Sequence, residues 1–134
     1  MLRQGRIRLK FPRSARLQRT SEFRFVKTSG KSWTGMHLIL AVSYRGSDLS
    51  SKIGIITTRR VGNAVVRNRI RRIVREIYRI NQHQVRKGYW IVTMARVSSA
   101  SASYQELERD WLRLAKRASI LAPTSHGSNP ANPA

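Results

Sequence analysis

The chain has 134 residues, 40% of them hydrophobic, and sets 27 Lys and Arg against 6 Asp and Glu for a formal net charge of +21. That length holds one compact domain plus tails; three Trp, four Tyr and three Phe rule out a wholly disordered basic chain, and the charge calls for a polyanion, nucleic acid first. The absence of cysteine excludes disulfides, zinc fingers, iron-sulfur clusters and thiol nucleophiles and fits a cytoplasmic protein, while apolar runs such as Ile39-Leu40-Ala41-Val42 are too short for a membrane span or a signal-peptide core.

Residues 1–13 are basic and end at Phe11-Pro12-Arg13, which reads as an extended arm rather than an organelle transit helix. Thr20 or Ser21 can cap a short helix that carries Phe23, Val26 and Lys27 and stops at Gly30. Trp33 then falls in a loop. From Met36 to Tyr44 the alternation predicts a strand, with Leu38, Leu40, Val42 and Tyr44 on one face and His37, Ile39, Ala41 and Ser43 on the other. Arg45 to Ser51 breaks the pattern before a second strand, Lys52 to Thr58, and a hairpin between the two is the simplest pairing. A helix from about Asn63 to Ile80 follows, then a polar stretch through Gly88 and a third strand, Tyr89 to Arg96.

Val97 to Ala102 is a connector. Ser103-Tyr104-Gln105-Glu106 is a capping-box pattern opening a last helix, with Tyr104, Leu107, Trp111, Leu114, Ala115 and Ala118 on one stripe. Residues 122–134 hold prolines and no periodicity and are expected to be a disordered tail. The expected fold is α+β, one domain over 14–121: a small mixed sheet packed with helices in the order α-β-β-α-β-α. General rules make its β-α-β crossover right-handed.

The central helix carries the chemistry. Val66, Ile70, Ile73, Val74, Ile77 and Ile80 form an apolar stripe, with Asn68, Arg72, Arg75 and Arg79 opposite and Arg67, Arg69 and Arg71 on the flanks. A solvated charged face normally mixes signs to gain i,i+4 pairs. Here Arg67, Arg71, Arg75 and Arg79 follow one another at that spacing, which destabilises by a few tenths of a kcal/mol per pair in the bare helix, about 0.2–0.5. Arginine also suits bidentate phosphate contacts, so the ridge reads as a nucleic-acid surface. Gly62-Asn63 can cap the helix beside Arg59 and Arg60, leaving backbone N–H groups where a phosphate sits comfortably.

The run from Thr58 to Glu76, with Arg67-Asn68-Arg69 at its centre, closely resembles the RNR signature of the protein subunit of bacterial ribonuclease P. The resemblance extends from Phe11-Pro12-Arg13 to the last helix. It implies a left-handed crossover in place of the general rule, and a protein that binds the catalytic RNA and the 5′ leader of precursor tRNA to promote tRNA 5′-end maturation at low magnesium. By motif position it places Arg59, Arg60, Arg67, Asn68, Arg69, Arg71, Arg72 and Arg75 at the RNA, with Asn68 orienting its neighbours, and Phe23 and Lys27 at the leader. Lys27 stands where a second aromatic is common. Mg2+ would be bound mainly by the RNA partner, with none held by the protein alone, no membrane and no obligate protein partner.

Nothing in the chain looks catalytic. Among the acids Glu22, Asp48, Glu76, Glu106, Glu108 and Asp110, the last three share one helix and read as capping and surface residues; no trio fits a two-metal nuclease site. His37, His83 and His126 stand apart from any acid in sequence. Hydrolysis would belong to the RNA, and the chain would act as a ribonucleoprotein subunit. A non-catalytic ribosomal or assembly protein is the alternative; a membrane-surface protein lacks the bulky exposed apolar face that insertion needs.

Overall fold

The computed structural model describes residues 15–46 and 48–122, so the expected arm and all of the expected tail except Ala122 lie outside the described residues. The elements are α1 (Thr20–Ser29), β1 (Lys31–Thr34), β2 (Leu38–Tyr44), β3 (Lys52–Ile56), α2 (Ala64–Asn81), β4 (Tyr89–Ala95) and α3 (Tyr104–Arg117), with short 3-10 turns at Gln82–Gln84 and Val97–Ser101. The four strands form one mixed sheet in the order β1-β2-β4-β3. β2 runs antiparallel to β1 and β4, and β3 runs parallel to β4 through the α2 crossover.

Three sequence expectations change. β2 and β3 do not form a hairpin: β4 lies between them, matched to β2 along its whole length from Leu38 opposite Ala95 to Tyr44 opposite Tyr89. Ile91 and Val92 of β4 are fully buried, and a strand apolar on both faces belongs at the centre of a sheet. The chain leaving β2 is tied to the entrance of β4 by the Arg45 N–H, which donates to the Gly88 carbonyl at 2.5 Å. Gly88 sits at φ 92°, where a Cβ would collide with the Gly46 carbonyl, so a side chain is excluded there on two counts.

The hairpin forms instead between β1 and β2, and Trp33 is a strand residue opposite Leu40. The organiser of that turn is Asp110 of α3, whose carboxylate accepts from the backbone N–H groups of Met36 at 3.2 Å and of His37 and Leu38 at 2.9 Å. Asp110 is therefore a buried structural acid rather than a surface one, 2% exposed, with Arg113 on its solvent side. A single carboxylate that satisfies three backbone donors is compatible with burial because each bond to the charged group is of the stronger kind.

Both faces of β2 are covered. Leu38, Leu40 and Val42 meet α2 and α3 in a core with Ile70, Ile77, Leu107 and Trp111, whereas Ala41 turns to the opposite face, under Val26 of α1 and Leu17. Each large side chain so buried contributes about 1.5–3 kcal/mol. Trp111 keeps its polar atom satisfied by donating Nε1–H to Thr93 Oγ1 at 3.1 Å and lies edge-on to Tyr78. On α2 the third correction appears: Ile80 is exposed and its place in the core is taken by Tyr78 and Asn81.

Caps fix the helix ends. Asn63 Oδ1 accepts from Val66 N–H at 3.0 Å, and Ser103 and Glu106 close the expected capping box on α3. α1 is held differently from expectation. Neither Thr20 nor Ser21 caps it; Glu22 reaches back to accept from the N–H groups of Gln18 and Arg19 at 2.7 and 3.0 Å. Its exit at Gly30 passes too close to the Val42 carbonyl for any side chain.

Candidate nucleic-acid interface

The turn that enters α2 is tight, with Val61 N–H donating to Thr58 and Gly62 N–H to Arg59, and it leaves Arg59 and Arg60 exposed. Ile70, Val74, Ile77 and Tyr78 then anchor α2 against the sheet and α3. The anchoring turns Asn68, Arg69 and Arg72 to solvent and leaves Arg67, Arg71 and Arg75 half-buried along the rim. The eight residues assigned to RNA by motif thus lie on one helix and the turn before it.

They are not equivalent. Asn68 Oδ1 accepts from Arg71 Nη1 at 2.8 Å, fixing that guanidinium on the helix surface. Arg69 Nη2 donates to the Ala102 carbonyl at 2.9 Å and so braces α2 against the entrance to α3. Arg79 is set apart by its ion pair with Glu76, which holds its pKa above the ordinary value through the hydrogen bond between them. Among the described residues, no carboxylate pairs with Arg67, Arg69, Arg71, Arg72 or Arg75; the ion pairs there are Glu76 with Arg79 and Asp110 with Arg113.

Arg75 shows the consequence. Burial, then the charges of Arg16 and Arg71, lower its pKa below the ordinary value. Its Nε and that of Arg67 are buried without a hydrogen-bond partner. Arg16, Arg71 and Arg75 share a cavity of about 350 Å3 with Phe23 and Gly54. Buried donors left unmade cost about 1–3 kcal/mol each, so this arrangement is completed by an acceptor rather than by another cation.

Phe23 of the expected leader pair lies in that cavity, its ring packed onto Gly54 of β3, where a Cβ would strike the phenyl edge. Lys27 is exposed and does not line it. Between α1 and β3 the sheet presents Trp90, Ile56 and Met94 beside Phe23. The alternation of Tyr89 and Trp90 resolves with Tyr89 packed against the α2 and α3 core and Trp90 on the α1 face.

Sequence reasoning missed Arg45, which sits in the segment read as a break. Its guanidinium carbon lies 4.4 Å from the Phe25 ring centroid and 4.7 Å from that of Trp90. The two rings meet edge to face at 6.1 Å, and Lys52 Nζ stands 6.0 Å from Trp90. The only sequence signal was the adjacency of Arg45 to the strand end, which does not reveal that α1 would bring Phe25 to it.

The acids are spent on structure. Glu22 and Glu106 cap helices, Asp110 holds the β1–β2 turn and Glu76 pairs with Arg79. Among the described residues no group of three or more His, Cys, Asp or Glu is arranged to hold a metal ion. His37 Nδ1 is within 2.9 Å of Ser98 Oγ. No helix among the described residues is long and apolar enough to cross a membrane.

The family model for ribonuclease P matches residues 11–119. The chain is 38% identical over 111 residues to the ribonuclease P protein component of Clostridioides difficile, covering 82% of this chain and 96% of that protein. It is 35% identical over 109 residues to that of Clostridium novyi, covering 81% and 96%. The RNase P protein structure from Thermotoga maritima superposes with a TM-score of 0.69 at 29% identity, covering 76% of this chain and 96% of the other. The Staphylococcus aureus structure reaches 0.73 over 80% and 97%, and at 19% identity it shares the fold. An α+β sheet with an arginine helix docked as its crossover, and a family match spanning most of the sequence, lead to one assignment: the chain belongs to the protein components of ribonuclease P, the tRNA-processing endoribonuclease.

Proposed function

We propose that this chain serves ribonuclease P as a two-sided RNA clamp. On one side α2 and its entry turn hold the catalytic RNA through Arg59, Arg60, Arg67, Arg71, Arg72 and Arg75, with Arg69 bracing the helix and Asn68 setting the direction of Arg71. On the other, the strip between α1 and β3, floored by Gly54 and walled by Phe23, takes the 5′ leader of precursor tRNA, with Lys27 at its outer margin. The observation that carries the reading is the arginine rim of α2, whose cations find no carboxylate among the described residues while Arg75 loses basicity to burial and to its neighbours.

Chemistry on the phosphodiester is assigned to the RNA partner and the Mg2+ it binds. The chain lowers the magnesium requirement by placing fixed positive charge between two polyanions, replacing counterions that would otherwise condense there. A base can stack on the Phe23 ring with about 1–3 kcal/mol and little sequence preference, which suits leaders of varied sequence.

The test is precursor tRNA cleavage at low magnesium by a bacterial ribonuclease P RNA alone, by this chain alone and by both together. Cleavage only in the mixture is expected. Failure to rescue any cognate RNA would move the assignment to ribonucleoprotein assembly.

A further inference from the structure

Phe25, Arg45, Trp90 and Lys52 converge at the end of the sheet where β2 stops and β3 and β4 begin. Lys52 is opposite Trp90 in the β3–β4 register, and Ser43, two residues before Arg45, is opposite it in the β2–β4 register. Phe25 is 38% exposed, Arg45 is exposed and Trp90 is half-buried. Two cations thus face one indole, one at 4.7 Å and one at 6.0 Å, and neither forms an ion pair with a carboxylate among the described residues.

A purely structural clasp between α1 and the sheet needs only one cation on the rings, since each such contact yields about 0.5–1 kcal/mol at an exposed site. A second cation adds repulsion that an anion removes. The ligand that offers an aromatic plane and an anion a few ångströms apart is a nucleotide, and its base face is free only in a single strand.

We propose that Phe25, Arg45, Trp90 and Lys52 form a base-stacking shelf for a single-stranded RNA nucleotide. The base lies on the Arg45 and Trp90 surfaces, and its phosphate is held by Lys52. The occupant is a nucleotide of the precursor tRNA leader, because Trp90 lies on the same α1-covered face of the sheet as Phe23. The assignment rests on the leader-binding reading and extends it past Phe23 and Lys27 to residues that the motif does not reach. The shelf has no side chain that reads base edges, so it favours purines over pyrimidines by stacking area alone.

The experiment uses the assembled ribonucleoprotein and two precursor tRNAs, one with a long leader and one with a single leader nucleotide. Their affinities are measured for the wild type, Trp90→Ala, Trp90→Phe and Arg45→Gln. Trp90→Ala should weaken binding of the long-leader precursor roughly tenfold and leave the single-nucleotide one within about twofold. Trp90→Phe should retain most of the affinity, and Arg45→Gln should lose several-fold. Arg45 is exposed, so its variant keeps the test decisive if Trp90→Ala lowers the melting temperature. Equal weakening of both precursors, or of catalytic-RNA binding alone, would overturn the shelf as a leader site. If Trp90→Ala and Arg45→Gln preserve the wild-type preference for the long leader, the shelf falls and the leader cleft stands. If the wild type shows no such preference, both fall together.

Discussion

Asn68 Oδ1 and Arg71 Nη1 lie 2.8 Å apart on the outer face of α2, an amide holding a guanidinium one turn along. The pair gives Asn68 a role that needs no touch of RNA, that of restricting Arg71 to one direction before the RNA arrives. Asn68→Ala removes no charge, so the slope of log affinity against log salt should stay unchanged while affinity falls about three- to tenfold, the cost of ordering a long side chain on binding. Asn68 is exposed, so the melting temperature should move little. Titrations of the catalytic RNA across salt concentrations, with a parallel melt, check both; a flattened slope would mean that Arg71 loses its phosphate altogether.

Arg69 predicts a mixed outcome. Its bond to the Ala102 carbonyl ties α2 to the start of α3, so Arg69→Ala should destabilise the fold by about 0.5–1.5 kcal/mol in addition to weakening RNA binding. Arg72, exposed and free of any such brace, should weaken RNA alone. The combined Arg67, Arg69 and Arg72 replacement should flatten the salt slope by up to about 0.9 for each phosphate that the variant no longer neutralises. Urea unfolding separates the two single variants, and equal stability of Arg69→Ala and wild type would show that the brace contributes nothing.

Asp110→Ala leaves three backbone donors of the β1–β2 turn without their acceptor. Destabilisation of about 3 kcal/mol or more is expected, at the upper end for a buried charge-assisted network. The RNA salt slope should be unaltered under conditions where the variant is folded. Urea midpoints measure the first and RNA titration the second.

The acid limb of stability should trace to two capping carboxylates. Glu22 is held below the ordinary 4.5 by the backbone N–H of Arg19, then that of Gln18; Glu106 is lowered by the backbone N–H of Ser103. A depressed folded-state pKa means that the stabilisation is fully present above the unfolded value and is lost as pH falls through the folded one. The difference in melting temperature between wild type and Glu22→Gln should therefore be constant above about pH 5.5 and narrow below about pH 4.5. A difference that widened on acidification would reverse the sign of the argument.

Sulfate or phosphate should raise the melting temperature of the free chain, because an anion that binds only the folded state near Arg75 stabilises it by mass action, about 2.7 kcal/mol at a hundredfold excess over its Kd. Arg75→Gln relieves the crowding with Arg16 and Arg71, so its low-salt melting temperature should rise while the sulfate increment shrinks. An increment identical to that of the wild type would place the stabilising anion elsewhere.

What could be read in the sequence was whatever depends on neighbours along the chain. The 3.6-residue spacing of Ile70, Val74 and Ile77 and the Ser103–Glu106 pattern are local, and both elements formed where their signals lay. Lys31–Thr34 was missed because an edge strand with one large apolar residue, Trp33, has no alternation to detect, and its pairing is decided by Asp110 across the fold. The β2–β3 hairpin failed for the complementary reason: a turn-like segment cannot disclose that a later strand with two apolar faces will claim the place beside β2. Arg45 joined the candidate site only because α1 carries Phe25 across the sheet to Trp90. The arginine helix itself was legible, but the different tasks of Asn68, Arg69 and Arg79 depend on partners that only the fold supplies.

The strand order also sets a timetable for biosynthesis. β2 and β3 leave the ribosome early, yet each finds its main partner only in β4, and all of α2 is translated in between. The sheet therefore cannot close until its most positively charged segment has emerged, and during that interval the nascent chain offers RNA an arginine-rich helix before it offers water a finished core. A cognate RNA present at that moment could act as a folding template, so subunit assembly and completion of the polypeptide would be steps of a single process.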